Sequence, residues 1–441
     1  MAAHISGNNM FQRFLHSQVT GAFILIGATA IALLWANSQW GQFYYDLSHT
    51  YLGVQFGEWE FKLTLSHWIK DGLMAIFFFV VGLEIKREIV VGELSSMNKA
   101  MLPVCAAIGG AVIPAGIYAA VNLGSGTIAG WGIPMATDIA FALGVLSMFG
   151  SRVPLGLKVF LTALAIADDL IAVAAIAVFY TPDLDVSTLL MSAIPLIFMI
   201  IFSRLGVRAT WVYTTLAFIV WLGVLGSGVH ATIAGVLVAM VIPVRPVIDP
   251  QELIDSTSKI LRDIEGGDNS LDALIHDEER RASISQLSLT VEDAIPPAIA
   301  LENRLHPFQS FVILPLFALF SAGVAFSPEN LAGFPTEVEL GVILGLVIGK
   351  PLGVLVASLL VIKVVKIELR GITLGQLIGA GCLAGIGFTM SIFISELAYT
   401  NETFIDQAKV GILFASVAAA MIGAIVLHLT LPKHADQGQQ N

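Results

Sequence analysis

Twelve stretches of this chain are apolar for about the length a helix needs to cross a bilayer. They lie at 20–36, 68–84, 100–122, 126–149, 154–180, 186–203, 209–225, 226–243, 307–326, 340–362, 374–395 and 405–431. A hydrocarbon core about 30 Å thick takes about 20 helical residues. Lipid offers no partner for a backbone N–H or C=O, so only helices or a closed barrel can span it. Barrel strands alternate polar and apolar residues over about ten positions, whereas these runs are continuous. The expected fold is therefore an all-α polytopic membrane protein with twelve transmembrane helices. Only Gly223, Gly226, Ser227 and Gly228 mark the boundary between the seventh and eighth spans. Composition agrees, because charged residues make up 12% of the 441 positions against roughly 25% in soluble domains. That apolar bias excludes disorder, and two cysteines, Cys105 and Cys382, cannot form a disulfide scaffold. The net charge of −11 argues against a nucleic-acid partner.

Loop charge sets the orientation. With an even number of spans, the side holding the termini carries 12 Lys and Arg outside the long loop after the eighth span, against 3 on the other side, Lys62, Lys70 and Lys409. Both termini are therefore expected in the cytoplasm. The first run follows a single basic residue, Arg13, without a convincing cleavage site, and reads as a retained helix.

Two connections stand out in what is otherwise a single domain, 1–441. Around Gly57, within about 45–65, residues 52–63 alternate apolar and polar side chains, the period of an outward-facing β-hairpin. An irregular loop with buried aromatics is the alternative. The stretch 249–306 carries a net charge of −8. In it Leu253, Ile254, Ile260, Leu261 and Ile264 fall at helical spacing, as do Leu271, Leu274 and Ile275 beyond a Gly266–Asn269 break. This insert, about 249–305, reads either as a solvated linker or as a regulatory element.

Four charged residues lie well inside the runs: Asp138, Asp168, Asp169 and Lys350. Each costs roughly 2.5–3.5 kcal/mol at a span centre on insertion scales. An ion pair between Lys350 and one aspartate is the plainest structural reading, but it leaves a second carboxylate and Asp138 without a role. The functional reading is competition. Adjacent buried carboxylates titrate as a coupled pair, and hard cations such as Na⁺ or Li⁺ seek the same oxygens as protons do. Exchange follows if the site opens to one side at a time.

Two runs look interrupted. One has Gly130, Gly132 and Pro134 ahead of Asp138, and the other has Gly379, Gly381, Gly385 and Gly387. They are the middle members of spans 3–5 and 10–12, the pattern of an inverted-repeat transporter with interrupted fourth and eleventh spans. Packing glycines are the alternative for either run alone. Broken helices expose half-helix ends at mid-membrane, where Asp138 can offset N-termini and Lys350 C-termini.

The residues that carry these features have a specific resemblance. Ala136-Thr-Asp-Ile-Ala-Phe-Ala-Leu-Gly144, Ala165-Ile-Ala-Asp-Asp-Leu170, Gly349-Lys-Pro-Leu-Gly353 and Gly385-Ile-Gly-Phe-Thr-Met-Ser391 resemble the NhaA family of Na⁺/H⁺ antiporters. So do the stretch from Gly72 to Arg87, Gly228-Val-His-Ala-Thr232 and Leu305-His-Pro307. The resemblance implies a secondary transporter of the bacterial inner membrane, not an enzyme and without cofactors. It would expel Na⁺ or Li⁺ electrogenically for protons and contribute to pH homeostasis. It implies Asp169 as the main cation ligand, and Asp168 as its partner, paired with Lys350 when no cation is bound. Thr137 and Asp138 would occupy the helix crossing. Asp71, Glu84, Arg87, His230, Glu302 and His306 would belong to pH response and the funnel. A homodimer would form through the hairpin between the first two spans, within membrane lipid. Structural alternatives stand for three of these: an ion pair for Glu84, packing for His230, and an interfacial charge for Asp71. Asn303, where the family often has His, and the long acidic loop bear on the pH set-point. The proton carriers are either the two aspartates or one aspartate and Lys350.

Other classes lack their residues. There is no Gly-x-Gly-Asp pattern for an intramembrane aspartyl protease, no His-Glu-x-x-His, and no third acid after Asp168-Asp169 for prenyl transfer. A solute symporter would need a larger polar or aromatic site than the runs contain.

Overall fold

The computed structural model describes residues 18–57, 59–181, 185–207, 210–245, 250–265, 278–326, 333–366 and 371–432. Helix α1 (Gln18–Ala36) and the short α2 (Gly41–Ser48) lead into strands β1 (Tyr51–Phe56) and β2 (Trp59–Thr64). The strands pair antiparallel from Tyr51 with Thr64 to Phe56 with Trp59. Gly57 takes φ +64° at the turn, a conformation glycine adopts without a side-chain clash. A π-turn over Trp68–Leu73 precedes α3 (Met74–Val90).

Helix α4 (Met97–Val121) is followed by a 3₁₀ segment (Ile128–Met135), an extended step and α5 (Ile139–Ser147). Next come α6 (Leu155–Phe179), α7 (Val186–Arg204), α8 (Thr210–Gly226) and α9 (Thr232–Val241). Helices α10 (Pro250–Glu265) and α11 (Glu278–Ala294) pack on each other, with Ile260 buried. Their remaining expected partners, Leu271, Leu274, Ile275 and the Gly266–Asn269 break, lie outside the described residues. Helix α12 (Pro297–Phe308) runs through a π-turn into α13 (Leu314–Ser321), and α14 (Glu337–Leu344) through another into α15 (Lys350–Val365). Helices α16 (Leu374–Ala384), α17 (Phe388–Ala398) and α18 (Glu402–Thr430) complete the chain.

Helix starts follow side-chain chemistry. Asp185, Thr336, Thr373 and Asn401 each accept a backbone N–H of the first turn they precede. The π-turns over Gln309–Ile313 and Gly345–Gly349 precede Pro315 and Pro351. A proline has no N–H and its ring crowds the carbonyl four residues back. Phe311 and Val347 hold those positions inside the two turns, so the wider turn relieves the clash without breaking the helix.

Among the described residues seven helical stretches are long and apolar enough to cross a membrane, and the bent pair α16–α17, which turns by 45°, makes an eighth. The second, seventh, eighth and ninth runs read from the sequence are shorter or are shared between elements. The second starts in the π-turn, the eighth yields only the ten residues of α9, and the ninth is a continuation of α12, which begins at Pro297 rather than at 307. Helix α6 is central, with 72% of its most apolar window buried, whereas α7 has 17% buried. Ile194, Ile197, Phe198 and Ile201 of α7 are exposed on its flank, as suits a surface whose solvent is lipid.

The most extensive helix pairings join α4 to α15 and α3 to α9. At the first, a side chain at Gly109 or Gly353 would run into the carbonyl oxygen of the other glycine. Close backbone approach by small residues is how helices pack when lipid supplies no hydrophobic drive. Gly353→Leu is expected to force α15 off α4 and cost about 1–3 kcal/mol or more by overpacking. A melt of the purified protein in detergent checks this, with Gly27→Leu, where a side chain meets open space, expected to melt like the parent.

Candidate functional site

The two interruptions meet. Between Met135 and α5 the backbone is extended, with Asp138 at φ −82°, ψ 97°. Between Ala384 and Phe388 lies the bend of α16 and α17. Such a break leaves backbone groups that lipid cannot satisfy, and each break supplies partners for the other. The Asp138 N–H donates to the Ile386 carbonyl at 2.7 Å, and Thr137 Oγ1 donates to the Ala384 carbonyl at 2.7 Å. Asp138 Oδ1 accepts the Phe141 N–H at 3.0 Å, capping α5. Its Oδ2 accepts the Thr389 N–H at 3.2 Å and Thr389 Oγ1 at 2.5 Å, at the start of α17. One carboxylate thus faces the positive ends of two half-helices. Ser391 Oγ donates to the Ile133 carbonyl at 2.8 Å.

Beside the crossing lies the pair Asp168–Lys350. Lys350 Nζ donates to Asp168 Oδ1 and Oδ2 at 2.7 and 2.6 Å, and also to the Met135 carbonyl. Asp138, Asp168, Asp169 and Lys350 are all within 2% of full burial. Asp169, one residue and about 100° further round α6, has Oδ1 buried without a hydrogen-bond partner among the described residues. The structure therefore distinguishes two neighbouring carboxylates: one has both oxygens occupied by an ammonium, and the other has an oxygen to offer.

The six remaining candidates separate into two groups. Glu84, Arg87, Glu302 and His306 line one cavity of about 230 Å³, with Thr162 and Ile166 of α6. Residues 162, 166 and 169 fall four and three apart, on one helix face, so this cavity approaches Asp169 along α6. Its charges are interlinked: Arg87 Nε meets Glu302 Oε2 at 3.0 Å and its Nη1 meets Glu88 Oε1 at 2.8 Å. Arg87 pairs with these two glutamates, while Glu84 faces the cavity. Asp71 and His230 are elsewhere. They line a second cavity of about 330 Å³ with His67, Lys70 and Glu396, near the strands, where Trp68 Nε1 donates to the Leu52 carbonyl. His230 Nε2 lies 3.0 Å from the Tyr180 carbonyl, a packing contact that coexists with its place in the wall. The pH-linked candidates are thus at opposite ends of the bundle.

The expectation of only four interior charges needs correction. Among the described residues Glu339 is fully buried, Glu88 and Lys409 are buried as well, and the carboxylate of Glu396 is 6% exposed between Lys70 and Lys409. Glu339 escaped notice because the tenth run was read from 340, and Glu396 because the eleventh was ended at 395. Glu339 closes a capping box with Thr336. Thr389 was in view inside its motif, but nothing local to it signals a bond to a residue 251 positions away.

Removing one member of a buried ion pair leaves an uncompensated charge. Lys350→Met is expected to destabilise by about 3–5 kcal/mol, and Lys350→Met with Asp168→Leu to recover most of that loss. Melts of the two variants and the parent in detergent decide it; equal losses would mean that the pair is not what holds these side chains.

A helical bundle with paired half-helices and buried charges at their crossing defines a membrane transporter class. The profile of the family described as Na⁺/H⁺ antiporter 1 matches residues 12–427. The chain is 44% identical over 422 residues to the Na⁺/H⁺ antiporter NhaA of Oleidesulfovibrio alaskensis, covering 96% of this chain and 94% of that one. It is 45% identical over 421 residues to NhaA 1 of Saccharophagus degradans, covering 95% and 91%. It is 44% identical over 420 residues to NhaA of Sulfurimonas denitrificans, covering 95% and 94%. The chain belongs to the NhaA family of Na⁺/H⁺ antiporters. These are integral membrane secondary transporters, not enzymes; Na⁺ and H⁺ are their substrates, and they take no cofactor.

Proposed function

We propose that this protein expels Na⁺, and Li⁺ with it, in exchange for protons, electrogenically and under pH control, by alternating access around Asp168 and Asp169. The observation that carries the reading is the asymmetry of the pair: Lys350 occupies Asp168, while one buried oxygen of Asp169 has no hydrogen-bond partner among the described residues. A hard cation needs several oxygens. Asp169 supplies the first, and Asp168 joins when Lys350 is released. Cation and protons then compete for one set of groups. Either candidate proton set, both aspartates or one aspartate and Lys350, discharges two protons per univalent cation, which makes the cycle electrogenic. Thr137 and Asp138 hold the half-helices at the crossing, so the site moves as a unit when the two halves rock.

The same reading has twelve spans, with the fourth and eleventh interrupted and spans 3–5 and 10–12 as inverted repeats. It places the protein in the bacterial inner membrane with both termini in the cytoplasm, as the 12-to-3 charge bias favours. The cavity with Glu84, Arg87, Glu302 and His306 then opens inward, and the one with Asp71 and His230 outward. Helix α12 carries Glu302 and His306 directly after the acidic helices α10 and α11, which suits a pH-responsive role for that inner cavity and its loop. The outer β-ribbon is the proposed homodimer contact. A two-stranded ribbon is marginal alone, and Tyr51, Leu52 and Val54 are exposed on it.

In everted membrane vesicles, addition of Na⁺ or Li⁺ is expected to dissipate a preformed pH gradient, and Asp169→Asn to abolish the response. Cation-independent behaviour across pH 6–9 in folded protein would overturn the antiporter reading; full activity in the variant would overturn the role of Asp169. Deletion of residues 52–63 is expected to convert the detergent-solubilised protein from dimer to monomer in light scattering while exchange persists. A mass unchanged by the deletion would place the dimer contact elsewhere, or rule out a dimer if the parent is monomeric.

A further inference from the structure

We propose that Glu396 is a positioning residue of the transport cycle: between Lys70 and Lys409 it latches α17 across the cavity at the ribbon end of the bundle, and it must let go for that cavity to reach Asp168 and Asp169. The proposal builds on the antiport reading above, but its geometry is independent of it.

Glu396 Oε1 lies 3.0 Å from Lys70 Nζ and 3.0 Å from Lys409 Nζ. Lys70 sits in the π-turn before α3, Glu396 near the end of α17, and Lys409 in α18. One carboxylate therefore ties three elements together. Neither oxygen of Glu396 has a well-aligned hydrogen bond among the described residues. Both ammoniums share one carboxylate oxygen, and Lys70 is 30% exposed, so water can replace that partner when the contact opens. Each lysine also has a second carboxylate within electrostatic reach: Asp71 for Lys70, and Asp406 for Lys409. A lysine that leaves Glu396 therefore still has a carboxylate to turn to, which gives the cluster a second arrangement. A switch needs such a bistable element.

The latch acts on the part of the molecule that matters. Along α17, Thr389 bonds Asp138 at the crossing, and Glu396 lies two turns further on, in the wall of the cavity. Between them Phe393 is 1% exposed and packs on Phe78 and Phe317, with ring centroids 5.6 and 6.2 Å away. While Glu396 is held, Phe393 closes the floor of the cavity. Movement of α17 would withdraw the ring and shift Thr389 against Asp138 in one motion.

The test reads access rather than transport. In a background with Cys105 and Cys382 replaced by Ser, Ser395→Cys places a thiol beside Glu396 at a fully buried position. Reconstituted protein is exposed from the ribbon side to a membrane-impermeant cationic methanethiosulfonate. Glu396→Gln is expected to speed modification by about tenfold or more, because loss of the latch raises the open population. Inverting all three charges, with Lys70→Glu, Glu396→Lys and Lys409→Glu, is expected to bring the rate back toward the parent. If Glu396→Gln alone folds poorly, the triple Lys70→Met, Glu396→Gln, Lys409→Met removes both lysines facing position 396 as well and should be modified equally fast. An unchanged rate in folded Glu396→Gln or in the triple variant overturns the latch, and so does a charge exchange that leaves the rate high. Cation-dependent proton flux in the parent, measured alongside, tests the antiport reading separately, since labelling needs no transport.

Discussion

A helix broken inside a membrane must find partners for the backbone groups that the break exposes, and this fold answers by crossing two breaks. The bonds from Asp138 N to Ile386, from Thr137 to Ala384, and from Thr389 to Asp138 satisfy each interruption with groups from the other. Neither half could stand alone in lipid. The arrangement also brings to one place the elements that precede and follow the breaks, and so the neighbourhood of Lys350 and Asp168. The Lys350 contact to the Met135 carbonyl makes the ion pair part of the same closure.

The consequence is a site with an imposed imbalance. Asp168 is bound on both oxygens, and Asp169 is not. Placing one ammonium between the crossing and the first aspartate leaves the second as the available group, on the α6 face that leads through Ile166 and Thr162 toward the cavity of Glu84 and Arg87. Charges at the opposite end, around Glu396, are organised differently: a carboxylate sits between two lysines. One end of the bundle thus holds a cavity lined by Glu84, Arg87, Glu302 and His306, and the other an ion cluster beside packed aromatic rings.

Much of this was legible locally. Continuous apolar runs specify helices because lipid leaves no other solution. The alternation around Gly57 specifies a ribbon because side chains on a strand alternate faces, and the residue at the turn needs a conformation that glycine takes freely. Asp138, Asp168, Asp169 and Lys350 stood out because charge is costly in their surroundings. Glu396 did not, because it lies one residue beyond the apolar run, where a charge at the membrane surface would be ordinary. Only its lysine partners, from elements 326 positions before it and 13 after, show that it is enclosed.

By itself, then, the sequence determined the class of the protein, the helical runs, the interruptions and the four charges that had to be compensated. These depend on local composition and on the solvent in which the chain must fold. The tertiary structure decided which aspartate Lys350 takes, that the two breaks complete one another, and that the candidate pH-linked residues divide between two cavities. It also decided that Glu396 is enclosed. Those are relations between residues tens to hundreds of positions apart. Spacing along one helix can say which face a side chain occupies, but only packing of the helices can say what that face meets.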